Sequence, residues 1–219
     1  SVIWAKECNS SILESYRKNH RNTMLNTTDV RLLNDQDIPS CDGVIGGPPC
    51  QAWSEGGKQL GFEDPRGQLF LEYIRIVNLK KPKFFVIENV QGILEDKHKQ
   101  SLTFIIESLR SIGYSISYQL LNAGDFRIPQ DRLRAFFVGI RNDLQNTFDF
   151  PNSMPGKKVT LREAIGDIIE KPRFFNEEMV MSEHPTRKNH DVYTGSYDAK
   201  YMARNRVRTW NEQSFTIQA

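Results

Sequence analysis

The chain has 219 residues, 38% hydrophobic and 26% charged, with a formal net charge of +2. This is the make-up of an ordinary soluble globular protein, long enough for one large α/β domain or a domain with a smaller appendage. No run of about 18 apolar residues excludes a membrane-spanning helix, and so small a charge means that any nucleic-acid footprint is local.

Cys8, Cys41 and Cys50 lie far apart with no CxxC spacing, which argues against a disulfide framework or a zinc site and predicts no metal. The N-terminus lacks a signal-peptide pattern, and together these features predict a reducing, cytoplasmic setting. Val2-Ile3-Trp4-Ala5 predicts a buried strand, with Ile12, Leu13 and Tyr16 on one face of a following helix capped by Ser10 or Ser11. A strand-like piece near 23–26 leads to Asp29. Glu7, just after the first strand, is either a plain surface acid or an acceptor for ribose hydroxyls at a parallel strand end.

Asp42 to Gln51 is the most constrained stretch. Val44-Ile45 predicts a strand running into Gly46-Gly47-Pro48-Pro49, two permissive residues and two with φ locked near −65°, and then Cys50. A lone cysteine is commonly a small buried hydrophobe, but this approach suits a thiol presented at the rim of a sheet. Ser54–Gly67 predicts a 14-residue loop with four glycines, the pattern of a lid hinged by its glycines. Leu69, Phe70, Tyr73, Ile74 and Val77 predict a helix ending at Lys80-Lys81-Pro82, and the unbroken run Phe84–Ile87 predicts a strand buried on both faces, tipped by Glu88-Asn89-Val90. A helix through Leu102–Ile112, a strand over 114–121 and a last strand over 135–140 complete a mostly parallel sheet covered on both faces. Pro151–Lys158 reads as linker, and Thr160-Leu161-Arg162-Glu163 as a capping box opening a helix through Ile169. Residues from about 142 onward form a second, irregular region.

Cys50 and Glu88, at the carboxyl ends of strands joined by one crossover, pair a nucleophile with a general acid/base. Arg132 and Arg134, two apart, share a strand face and suit an anion, a carboxylate or a base edge. In the basic run 200–208, Arg204, Arg206 and Arg208 alternate; they form either a solvated basic edge or a set of guanidinium groups for guanine and phosphate.

Taken together, Pro48-Pro49-Cys50-Gln51, Glu88-Asn89-Val90, Gln130-Asp131-Arg132-Leu133-Arg134 and Asn205–Glu212 with Phe215-Thr216 resemble the cytosine-C5 methyltransferases, in that family's motif order. Trp53–Gly57, Gly195-Ser196-Tyr197 and Arg204–Trp210 look most like HaeIII-type bacterial modification enzymes, which methylate within GGCC. The resemblance implies a Rossmann-like, S-adenosylmethionine-dependent α/β fold. It implies a cytosine flipped from duplex DNA, attack of Cys50 on C6, Glu88 at N3 and the exocyclic amine, and Arg134 with Arg132 positioning base and loop. Glu7, Cys8, Asp29, Pro48 and Leu69 would bind the cofactor, and Gln51, Ser54, Arg204, Arg206 and Arg208 the DNA. The family's first glycine-rich motif and its late Gly-Asn motif are not in the sequence. The chain therefore reads as a truncated catalytic domain (1–141) followed by a linker and partial target-recognition region (142–219). It is expected to be a fragment or one half of a split enzyme, completed by a second chain and inactive alone. The RNA-acting branch and a non-catalytic DNA-binding subunit are the competing readings.

Overall fold

In the computed structural model, which describes residues 1–49, 65–167 and 208–216, strand β1 (Trp4–Lys6) runs parallel to β2 (Met24–Asn26), pairing Trp4 with Met24 and Lys6 with Asn26. Helix α1 (Ser10–Asn19) links them. Its cap is Asn9, one residue ahead of the expected serines: the backbone there is extended, and the Asn9 amide oxygen accepts the Ser11 N–H at 3.0 Å.

The second sheet has the order β3-β4-β6-β5, built from β3 (Gly43–Gly46), β4 (Phe84–Val90), β5 (Tyr114–Asn122) and β6 (Leu133–Arg141). The crossover helix α2 (Pro65–Lys80) joins β3 to a parallel neighbour, β4, as its spacing predicts. α2 takes in Pro65, Arg66 and Gly67, so the expected loop and lid are shorter at their far end: a proline fits the first helical position, where its missing N–H costs nothing. Helix α3 (Lys99–Ser111) ends before Gly113, which takes the left-handed φ of +95° that suits glycine. β6 lies antiparallel to β4 while the β1–β2 and β3–β4 pairs are parallel, so the α/β fold is mostly parallel.

α2 and α3 cover one face of this sheet. Phe70, Tyr73 and Val77 from α2 and Ile105 and Leu109 from α3 close over Phe85, Ile87, Tyr114, Ala135 and Phe137. β4 is not buried on both faces, contrary to its unbroken apolar run. Phe85, Ile87 and Asn89 are buried, whereas Phe84 is 37% exposed and Val86 and Glu88 are half-buried. The strand's period of two puts Phe84, Val86, Glu88 and Val90 on a face left partly open, and that face carries the carboxylate.

The chain segregates into two compact units. The first holds Ser1–Leu121 and Leu133–Asn152, with both sheets. The second holds Asn122–Arg132 and Ser153–Ala219. In the second, Thr160 and Glu163 form the expected capping box at the start of α4 (Leu161–Ile165), a helix shorter than predicted that is closed by Gly166. Pro155–Lys158 is not slack: the Asp125 carboxylate takes Lys158 at 2.8 Å, and Arg127 donates to the Pro155 carbonyl. Among the described residues, no helix is long and apolar enough to cross a membrane.

Candidate functional site

The register Gly46↔Ile87 delivers the glycine–proline turn beside the far half of β4. Gly47 lies against Glu88; a Cβ added to it would stand 3.3 Å from Glu88 Oε2. Pro48 is buried, and its carbonyl accepts the Asn89 Nδ2–H at 2.9 Å, while Asn89 Oδ1 accepts the Val90 N–H. Adjacent residues of one strand thus serve opposite faces. Glu88 points to the open side, and Asn89 reaches from the buried side to hold the turn.

Glu88 is fixed from the neighbouring strand. β4 and β6 pair Glu88 with Phe136 and Val90 with Arg134, which makes Glu88 and Arg134 diagonal neighbours on one face. Arg134 Nε meets Glu88 Oε1 at 2.8 Å, with 18% of the arginine side chain and 39% of the carboxylate side chain exposed. The guanidinium also donates to the Leu133 carbonyl. A carboxyl oriented by an arginine and left partly open can accept from an amine and, when protonated, donate to a ring nitrogen.

At the ends of β1 and β2, Glu7 and Asp29 follow two parallel, adjacent strands, and the Glu7 N–H bonds Asn26 O at 3.0 Å. Glu7 Oε1 accepts the Asn9 N–H at 2.7 Å. Both Asp29 oxygens meet Arg31, at 3.0 Å to Nε and 2.6 Å to a terminal nitrogen, and this pairing with the Arg31 side chain and N–H holds the Asp29 carboxyl far below the usual range. Two acceptors at neighbouring strand ends suit the hydroxyls and amine of a nucleoside. Cys8 is exposed beside Glu7, and Leu69 is half-buried on α2.

Arg132 belongs to the second unit, where its N–H donates to Asn122 Oδ1 and its carbonyl accepts the Ala123 N–H. Arg208 lies in the same unit. Its terminal nitrogens reach Asp131 at 3.0 Å and Glu212 at 3.4 Å, and its guanidinium sits 4.2 Å from the Phe215 ring centroid. Cys50, Gln51, Ser54, Arg204 and Arg206 lie outside the described residues, as does the expected lid up to residue 64. Sequence reasoning placed Asn89 in a motif but missed its grip on the turn. The available signal was an amide at an inward position of an alternating strand.

Residues 1–219 match the family described as C-5 cytosine-specific DNA methylase. The chain is 42% identical over 219 residues to the Type II methyltransferase M.MthTI of Methanothermobacter thermautotrophicus, across all of this chain and 66% of that protein. It is 40% identical over 221 residues to M.FnuDI of Fusobacterium nucleatum, across all of this chain and 64% of that protein. The chain therefore spans a little under two thirds of the length of these curated relatives. Among solved structures, a DNA modification methyltransferase encoded within an E. coli prophage superposes with a TM-score of 0.62 at 29% identity, covering 75% of this chain and 48% of that one. DNMT2 of Spodoptera frugiperda, at 24% identity and a TM-score of 0.60, covers 80% of this chain and 54% of its own, and shares the fold.

Proposed function

The chain belongs to the C-5 cytosine-specific DNA methylase family, and from that premise we propose that the complete protein methylates C5 of cytosine in duplex DNA as the modification arm of a restriction–modification system. One observation carries the reading: the Arg134–Glu88 pair stands beside a glycine–proline turn, anchored by Asn89, that leads directly into Cys50.

The target cytosine is extruded from the stack. The Cys50 thiolate adds to C6, forming an S–C6 bond and moving the ring electron pair to C5. Glu88, oriented by Arg134, would act in its protonated form, giving its proton to N3 as negative charge develops in the ring while its other oxygen accepts from the exocyclic amine. Arg132 helps to position the base. The carboxylates of Glu7 and Asp29 fit the hydroxyls and amine of adenosine, so these two, with Cys8, Pro48 and Leu69 alongside, would hold S-adenosylmethionine. That cofactor supplies the methyl group. Once C5 is methylated, loss of its proton restores the ring, the S–C6 bond breaks and the thiolate returns.

Residues 1–141 carry the catalysis and 142–219 the linker and target recognition. The likeness in wording to HaeIII-type enzymes supports a GGCC site, with Gln51 and Ser54 at the flipped base and Arg204 and Arg206 on guanines. Arg208, whose guanidinium is engaged by Asp131, Glu212 and Phe215, would complete the DNA-binding set.

The test is covalent trapping. Duplex DNA with 5-fluorocytosine in GGCC, incubated with the complete protein and S-adenosylmethionine, is expected to give a denaturation-resistant adduct that disappears in Cys50→Ser. Absence of any Cys50-dependent adduct while DNA binding persists would leave a non-catalytic binding subunit. Methyl incorporation into transfer RNA in preference to duplex DNA would move the protein to the RNA-acting branch.

A further inference from the structure

Tyr73 is a buried side chain at the root of the turn that the mechanism above does not use. It projects from α2 onto the covered face of the sheet, where its ring packs edge-on against Phe85, with centroids 6.2 Å apart and planes at 82°. Its hydroxyl reaches the main chain of two strands at once, donating to the Val44 carbonyl of β3 at 3.1 Å and the Val86 carbonyl of β4 at 3.0 Å. A tyrosine has one hydroxyl proton, so the two carbonyls share it. Burial raises the Tyr73 pKa above its ordinary value, which favours the protonated hydroxyl that these two contacts need.

The same ring occupies the space that Gly46 leaves. A Cβ on Gly46 would come within 2.8 Å of Tyr73 Cε2 and 3.2 Å of Cδ2. Gly46 ends β3 and begins the turn. The turn is thus gripped at two places from the buried side: at Pro48 by Asn89, and at its root by Tyr73. α2 follows the segment after Cys50 in the chain, so Tyr73 ties the helix beyond that segment to the strand before it.

We propose that Tyr73 is a positioning residue for the methyl-transfer site: its hydroxyl pins Val44 and Val86 and its ring fills the space at Gly46, and together they set where the Gly46–Pro49 turn stands relative to Glu88. The inference rests on the functional reading above. It predicts an effect on chemistry out of proportion to any effect on ligand binding, because a small misplacement of a reacting group costs rate before it costs affinity.

The experiment uses the complete protein and Tyr73→Phe, which keeps the ring and removes the donor, with Gly46→Ala as a second variant acting on the other side of the same contact. Single-turnover methylation and adduct formation on 5-fluorocytosine DNA are measured beside the dissociation constants for DNA and S-adenosylmethionine and the melting temperature. Tyr73→Phe is expected to slow both chemical readouts by about tenfold, the scale of one lost hydrogen bond, with both dissociation constants within about twofold of wild type. Gly46→Ala is expected to show the same split. Rates within about twofold of wild type in both variants would overturn the proposal, whatever the melting temperatures. So would a loss of rate matched by an equal loss of affinity. A wild-type protein that forms no adduct overturns the functional reading itself, an outcome visible before either variant is compared.

Discussion

Asn89 holds the glycine–proline turn to β4 from the buried side. It is 5% exposed, and each end of its amide has a partner: Nδ2 donates to the Pro48 carbonyl and Oδ1 accepts the Val90 N–H, both at 2.9 Å. Replacement by alanine removes both partners and strands the carbonyl under buried side chains. The expected cost is about 1–3 kcal/mol in denaturant unfolding, because a buried unpaired polar group loses its water without recompense. Asn89→Asp keeps the acceptor for Val90 N–H but sets a carboxylate against the Pro48 carbonyl, and is expected to be at least as damaging. Since the turn then loses its fixed height beside Glu88, adduct formation should slow by about ten- to a hundredfold in both variants. Unfolding curves and trapping rates measured on the same preparations check this, and unchanged trapping in a destabilised variant would mean that the turn holds its shape without Asn89.

Within the second sheet, the legible and the illegible parts of the sequence separate for physical reasons. The strand–helix alternation and the adjacency of β3 and β4 follow from apolar spacing and crossover rules, and both are observed. Direction and exposure do not follow. Phe84-Phe85-Val86-Ile87 is apolar throughout, so periodicity could not show that Phe84 and Val86 lie on the partly open face beside Glu88. The pairing of Glu88 with Arg134 was equally hidden, because it depends on an antiparallel register in which residues 46 positions apart become diagonal neighbours. Two glycines make the asymmetry of the faces measurable. Gly139, on β6, sits opposite Phe85, and a Cβ there would collide with a ring that is fully buried and cannot move aside. Gly43, on β3, has the same relation to Phe84, whose ring is 37% exposed and is free to swing. Gly139→Ala should therefore cost about 1–3 kcal/mol in thermal or chemical unfolding, and Gly43→Ala less than about 1 kcal/mol. Phe85→Leu should recover part of the Gly139→Ala loss in a double-mutant cycle. Equal costs at the two glycines would contradict the one-sided covering of the sheet.

Across the whole molecule, the chain is threaded so that the second unit is assembled from two stretches far apart in sequence, 122–132 and 153–219. Within that unit, the late segment binds the early one through the main chain. The Asp131 N–H donates to the Ser214 carbonyl at 2.8 Å, the Ser214 N–H donates to the Pro129 carbonyl at 2.9 Å, and Gln213 Nε2 donates to the Ile128 carbonyl at 2.9 Å. Arg208 closes the assembly by joining Asp131 and Glu212 across the face of Phe215, a use of guanidinium geometry that a lysine cannot copy. Trp210 and Glu212 extend the same segment to α4, their carbonyls accepting the N–H groups of Arg162 and Leu161 that a short helix leaves unpaired. None of this was visible in the alternation of Arg204, Arg206 and Arg208, which describes an extended strand but says nothing of the partners of Arg208. Arg208→Ala should release the clasp locally. The amides of Asp131 and Ser214 are expected to exchange hydrogen about 10- to 100-fold faster, as befits charge-assisted contacts worth about 1.5–3 kcal/mol, while amides of β3 and β4 in the first unit keep their protection. Arg208→Lys should recover only part of the loss, because the charge survives without the fork or the flat stacking surface on Phe215. A uniform rise in exchange across both units would mean that Arg208 supports global stability, and unchanged exchange at Asp131 and Ser214 would assign their pairing to the backbone alone.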